Sequence, residues 1–132
     1  MLFTNVKELT HGKTKDSGST EFLTISRGVV HLVWITFPPG CAHLAKVQLY
    51  DGGHQFLPST EGMWVHGDGI TRKIPLFYEM SEEPLRITIR AWNEDDIYEH
   101  TITVEVSVLP KMLLLPQLFL LAVMERLEKL FV

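Results

Sequence analysis

Six histidines, one cysteine and a run of acidic side chains are the residues of this chain whose types could do chemistry. The histidines stand at positions 11, 31, 43, 54, 66 and 100. Imidazole nitrogen is a common ligand for zinc, copper and nickel, but local metal motifs place their ligands only a few residues apart, and no two of these histidines do so. A transition-metal site would have to be assembled from distant strands, for instance from His43, His54 and His66. The expectation is therefore no metal and no cofactor, with His31 and His100 read as core-edge residues bonded to backbone. The run Asn93-Glu94-Asp95-Asp96 offers oxygen ligands of the kind calcium takes, yet it lacks the glycine and the ligand spacing of an EF-hand loop. A solvated hairpin turn is the simpler reading.

Nucleophilic catalysis has little support. No G-x-S-x-G motif is present, and Cys41 follows Pro38-Pro39-Gly40 instead of opening a helix, which reads as a turn-packed thiol. Scattered carboxylates occur in any β protein and do not define an acid–base pair. The chain is expected not to be an enzyme. In the polar segment His11 to Thr20, HGKT resembles the end of a phosphate-binding loop, but the upstream glycine and preceding strand are missing. The loop-like segment Glu61–Gly69, EGMWVHGDG, carries Trp64, which could stack on a sugar, anchor a partner or cap the open end of a β fold. His54, Trp64 and Asp68 thus form the candidate ligand-binding group, for carbohydrate or calcium.

The elements that must position these groups are mostly strands. In His100–Val108 the residues His100, Ile102, Val104, Val106 and Val108 share one face, and Thr101, Thr103, Glu105 and Ser107 the other. Period two with one wet face marks a half-buried antiparallel strand. Leu85–Trp92 repeats the pattern, and the acidic run between them predicts a hairpin. Val29–Phe37 is apolar on both faces (Val29, His31, Val33, Ile35 and Phe37 against Val30, Leu32 and Trp34), which predicts cover from an opposite sheet and from a helix or neighbouring subunit. Shorter strands are expected at Phe22–Ser26, Leu44–Tyr50, Gln55–Leu57 and Arg72–Phe77. Seven or eight short strands punctuated by Gly and Pro predict an all-β fold, an antiparallel β-sandwich of jelly-roll or immunoglobulin-like topology.

The 132 residues suffice for one domain. The expected organisation is a polar N-terminal arm over 1–20, the sandwich over 21–110 and one C-terminal α-helix over 111–132. A single cysteine excludes an intrachain disulfide framework. Twelve Lys and Arg against sixteen Asp and Glu give a net charge of -4, without the basic excess that nucleic-acid binding requires. The first residues lack an apolar secretory core, so the chain is expected to carry no secretory signal and to be cytoplasmic when made, with incorporation into a virion as a later fate. Met112–Met124, MLLLPQLFLLAVM, is interrupted by Pro116 and Gln117 and falls short of the roughly 20 apolar residues of a spanning helix. Pro116 suits a first helical turn, and Leu120, Val123, Leu127 and Leu130 then line one face as the candidate oligomer contact, with folding back of the helix onto its own sheet as the competing reading and some self-packing expected besides. Attachment to a membrane surface is the weaker alternative, because Glu125 and Glu128 balance Arg126 and Lys129 on the polar face.

The order Phe37-Pro38-Pro39-Gly40-Cys41, then Asp51-Gly52-Gly53-His54-Gln55 with Pro58, then Trp92-Asn93-Glu94-Asp95-Asp96 before His100, resembles small β-sandwich proteins of poorly characterised function, some of them encoded by tailed phages and prophages. The resemblance covers about residues 29 to 110 and brings no catalytic residue with it. It implies a virion or accessory structural role, with other virion proteins as partners. The resulting expectation is a non-enzymatic structural subunit that self-associates through its C-terminal helix, with a ligand-binding module as the alternative.

Overall fold

The structure, a computed structural model, describes residues 1–111 and 123–126. Among the described residues nine strands form two antiparallel sheets: β1 (Leu2–Leu9), β2 (Ser19–Thr24), β3 (Gly28–Phe37), β4 (Ala45–Asp51), β5 (His54–Leu57), the short β6 (Val65–His66), β7 (Ile70–Met80), β8 (Arg86–Asn93) and β9 (His100–Leu109). One sheet has the order β1-β9-β3-β7 and the other β2-β8-β4-β5, with β6 added alongside β4. The pairs β1·β9, β2·β8, β3·β7 and β4·β5 are nested, outermost chain ends with outermost ends. A long hairpin rolled up so that β9 meets β3 and β8 meets β4 has this order. The sandwich is therefore a jelly roll, which decides between the two topologies that the strand pattern leaves open.

The core lies between the sheets. Val33, Ile35 and Phe37 of β3 and Ile102, Val104, Val106 and Val108 of β9 meet Val47 and Leu49 of β4 and Ile87 and Ile89 of β8, all nearly inaccessible to water. For β9 and β8 the inward faces are those that the alternation predicts. For β3 the expected split is corrected: the register jumps between Val30 and Leu32, a bulge that exchanges the two faces for the residues before it. Val30 thus joins Val33, Ile35 and Phe37 inside, while Leu32 and Trp34 sit half-buried on the outer face. Gly28 opens β3 at φ +155°, pressed on the Leu109 carbonyl where a Cβ would collide, so only glycine lets these two strands close there.

Two further expectations change. Residues 1–20 are not a free arm, because Leu2–Leu9 form β1, an edge strand in register with β9 from Leu2↔Ser107 to Leu9↔His100. The terminal amine of Met1 donates to the Val108 carbonyl at 2.7 Å. This strand is unobtrusive in the sequence because its inward positions include Asn5 and Lys7. At the open rim of the sandwich Lys7 needs no apolar partner and instead pairs with Glu21 of β2 at 3.2 Å. Thr10–Gly18 does connect the sheets, through a short 3-10 turn at Lys15–Ser17.

The second correction concerns β8 and β9, which are not a hairpin: they lie in different sheets, and residues 94–99 arch from one to the other. Face-to-face packing satisfies two amphipathic strands as fully as edge pairing does, so alternation alone does not choose. The arch is held by side chains. Asn93 Nδ2 donates to the Tyr98 carbonyl at 2.9 Å and to the Leu9 carbonyl at 3.4 Å, and the Asp95 N–H donates to Asn93 Oδ1 at 3.0 Å.

Lys111 and residues 123–126 are helical. The Lys111 ammonium bonds Glu79 at 3.1 Å where the chain leaves β9. Of the expected contact stripe, Val123 is 37% exposed and its neighbour Met124 58% exposed. Leu120, Leu127 and Leu130 lie outside the described residues.

Candidate functional site

Chemistry-bearing side chains gather on the outer surface of the β2-β8-β4-β5 sheet and at one end of it. On β4, Ala45, Val47 and Leu49 point into the core, so Lys46, Gln48 and Tyr50 face outward. Gln48 is nonetheless fully buried, because the loop from Pro58 to Trp64 folds over it. Gln48 Nε2 donates to the Met63 carbonyl at 2.8 Å; Gln55 Nε2 donates to the Pro58 and Met63 carbonyls, both at 2.9 Å; Gln55 Oε1 accepts from the Gly62 N–H at 3.1 Å. Two buried amides therefore replace water as the partners of this loop's backbone.

The loop delivers Trp64 to Trp92 of β8, edge to face with ring centroids 6.1 Å apart. The Lys46 ammonium lies 4.7 Å from the Trp64 ring centre and also bonds the Glu94 carboxylate, which accepts the Trp92 indole N–H at 3.3 Å. The Lys46 bond chiefly, with the indole adding to it, holds the Glu94 carboxyl below the usual carboxylate range. Trp64 is thus committed to a cluster with Lys46, Trp92 and Glu94 on the sheet's outer face. Lys46, Trp92 and Glu94 were not legible as partners, since cross-strand register alone brings Lys46 opposite Trp92.

Beside this cluster, two histidines from distant segments meet. His66 lies on β6 opposite Lys46, and its carbonyl accepts the Arg72 guanidinium N–H at 3.0 Å. His43 comes from the loop between β3 and β4, where Ala42 and His43 both adopt left-handed backbone, φ +49° and +62°. Residues with a Cβ seldom adopt that conformation. Here the loop is fixed by the Gly40 N–H on Asp68 Oδ1 at 2.8 Å, the Leu44 N–H on the Cys41 carbonyl at 2.9 Å, and the Glu94 N–H on the Leu44 carbonyl at 3.0 Å. The two Nδ1 atoms are 2.9 Å apart and the rings stand edge to face at 75°. Burial, then the charges of His43, Arg72 and Lys46, push the His66 imidazole below its ordinary value.

His54, Trp64 and Asp68 do not form one group. His54 pairs with Asp51 at the far end of β4 from Lys46 and stacks on Tyr78, which stacks in turn on Phe56 with centroids 4.5 Å apart. The Tyr78 hydroxyl donates to Asp51 at 2.8 Å, and burial together with that carboxylate pushes the phenol up to about 12. Asp68 serves the β3–β4 loop through Gly40. Nor does His54 join His43 and His66. Among the described residues no set of three or more His, Cys, Asp and Glu side chains is placed to hold a metal.

The remaining candidates serve the fold. His31 Nε2 meets the Ser107 hydroxyl at 2.7 Å and His100 Nε2 the Asp95 carboxylate at 2.9 Å, so both find side-chain partners where backbone ones were expected. Asp95 also accepts the N–H groups of Ile97 and Tyr98. These bonds, with that of Ile97 leading, draw its pKa down to about 2. The acidic run is therefore an intersheet clamp. Cys41 is wholly buried, and burial, followed by the charges of Asp68 and Asp95, raises its thiol to about 11. A thiol protonated to that degree is a poor nucleophile. No helix among the described residues is long and apolar enough to cross a membrane.

Comparison with known proteins finds no matching family model, no matching curated protein and no matching solved structure.

Proposed function

We propose that the chain is a non-enzymatic structural subunit that works as a homo-oligomer, joined through its C-terminal helix. The observation that carries this reading is apolar surface that the monomer's own core does not use. On the outer face of the β1-β9-β3-β7 sheet the register aligns Leu2, Ser107, Leu32 and Pro75 in one row and Thr4, Glu105, Trp34 and Lys73 in the next. Leu2, Val6 and Phe77 are more than half exposed. The chain leaves β9 on this sheet at Leu109 and enters the leucine-rich segment from there. Exposed Val123 and Met124 add a second apolar surface. On the sheet these apolar side chains are interspersed with Ser107, Glu105 and Lys73, a mixed surface of the kind that protein contacts use, and closed symmetry is the usual way to bury it.

Jelly rolls build capsid subunits and lectins alike, so the fold agrees with an assembly role without selecting it. The resemblance to small phage-type sandwich proteins supplies a virion or accessory assembly as the setting. The carbohydrate or calcium alternative is weakened by the separation of His54 from Trp64 and Asp68. Light scattering of the full chain beside a chain ending at Pro110 tests the proposal. A full-length oligomer that becomes a folded monomer on truncation is the expected result, and Leu127→Asp should have the same effect with the β signal in circular dichroism intact. A full-length mass near 15 kDa in solution would overturn it.

A further inference from the structure

We propose that His43 and His66 form a chelating site for a divalent transition-metal ion of the copper, nickel or zinc class, with water in the remaining coordination positions. Their Nδ1 atoms stand 2.9 Å apart in a hydrogen bond, so an ion that takes both lone pairs displaces the bridging proton to the same ring's Nε2 or to water. With metal–nitrogen bonds of about 2.0 Å, two donors at right angles are separated by about 2.8 Å and two tetrahedral donors by about 3.3 Å. The observed separation fits adjacent positions of a tetragonal Cu2+ or Ni2+ ion, and zinc needs a slightly wider bite. Of these ions Cu2+ is bound most tightly by nitrogen ligands in general.

Both ligands are positioned before any ion arrives. His43 is carried on consecutive left-handed residues in a loop tied to Asp68, Cys41 and Glu94, and His66 sits on a paired strand with its carbonyl held by Arg72. The ordering cost that a flexible pair would meet on binding is therefore already met in folding. Strained backbone that the surroundings hold in place is a frequent companion of functional side chains. Two cations flank the pair. Lys46 is turned to Glu94 and Trp64, and Arg72 to the His66 carbonyl, so neither occupies the space between the rings. Their charge nevertheless opposes an incoming dication and weakens binding. With only two protein ligands, open positions remain, as in metal centres that engage a further molecule rather than in closed structural ones.

The full chain is titrated in separate experiments with CuCl2, NiCl2 and ZnCl2 in a non-coordinating buffer. Calorimetry follows all three, and imidazole nitrogen–proton NMR follows the zinc series. The expected result is one ion per chain, with copper tightest and the His43 and His66 resonances moving together. His66→Gln and His43→Asn should each weaken binding by on the order of tenfold or more, while His54→Gln leaves it unchanged. Asn tolerates left-handed backbone, so His43→Asn keeps the loop and decides the matter even where a melt shows His66→Gln unfolded. Undiminished affinity in His43→Asn, loss of binding in His54→Gln, or no binding at millimolar metal would overturn the site.

Discussion

Replacing Asn93 puts the arch between the sheets to a quantitative test. Its side chain is fully buried at the end of β8 and touches three parts of the chain at once: the Leu9 carbonyl at the end of β1, the Tyr98 carbonyl ahead of β9, and the Asp95 N–H within the arch. Asn93→Leu keeps the side chain's branching and heavy-atom count, with somewhat bulkier methyls, and removes all three contacts. The two bonds of ordinary length contribute about 1 kcal/mol each, and a carbonyl left dry costs a further 1 kcal/mol or more, which at Leu9 falls on a buried residue. A loss of about 3 kcal/mol follows. Asn93→Asp is isosteric but cannot donate while ionised, and it sets a carboxylate against two carbonyl oxygens. At neutral pH it should cost more than the leucine, and the difference should shrink as acid protonates it. Urea denaturation followed by far-ultraviolet circular dichroism, with the slope checked for constancy, gives both values. A loss under about 1 kcal/mol for the leucine variant would refute the clamp, since a change that small is ordinary for surface positions.

Acid should act on the same arch through Asp95. Folding draws its pKa from the ordinary aspartate value down to about 2, so its contribution is present above the ordinary value and is lost as pH falls from about 4 to about 2. Thermal melts from pH 5 to pH 2 should decline more steeply for the wild type than for Asp95→Asn, and parallel curves would contradict the assignment. Cys41, buried and held protonated to about 11, should give no reaction with a thiol-specific disulfide reagent at pH 8 in the native state and one equivalent in denaturant. Rapid native labelling would place the thiol at the surface.

Why some elements were legible and others not has a local explanation. β9 and β8 advertise themselves because each has an uninterrupted apolar face and a polar one, and water enforces that alternation wherever one side is wet. β4 and β5 are equally plain, since Gly52-Gly53 joins Asp51 directly to His54, a two-residue turn that sequence can name. β1 is obscured by Asn5 and Lys7 at inward positions, where the open rim asks for reach rather than hydrophobicity. In β3 one extra residue between Val30 and Leu32 changes which face is inside, and a continuous apolar run carries no mark of where its bulge lies. The candidate site fared less well. His43 and His66 were plausible as ligands by type, but so was His54, and type alone does not separate the pair from the residue stacked on Tyr78.

By itself the sequence determines that this chain is built of strands, which faces of most of them are dry, and that its last twenty or so residues are rich in leucine and other apolar side chains. Those properties are local, fixed by side-chain alternation, turn residues and composition. The tertiary structure alone decides that β8 and β9 face one another across the core, that the nested pairing makes a jelly roll, and that the β3–β4 loop meets β6 with two imidazoles in contact. Each of these depends on pairing between segments far apart in the chain. Many registers satisfy the same alternation, and only the packing of the whole core, with its buried amides and carboxylate clamps, selects one.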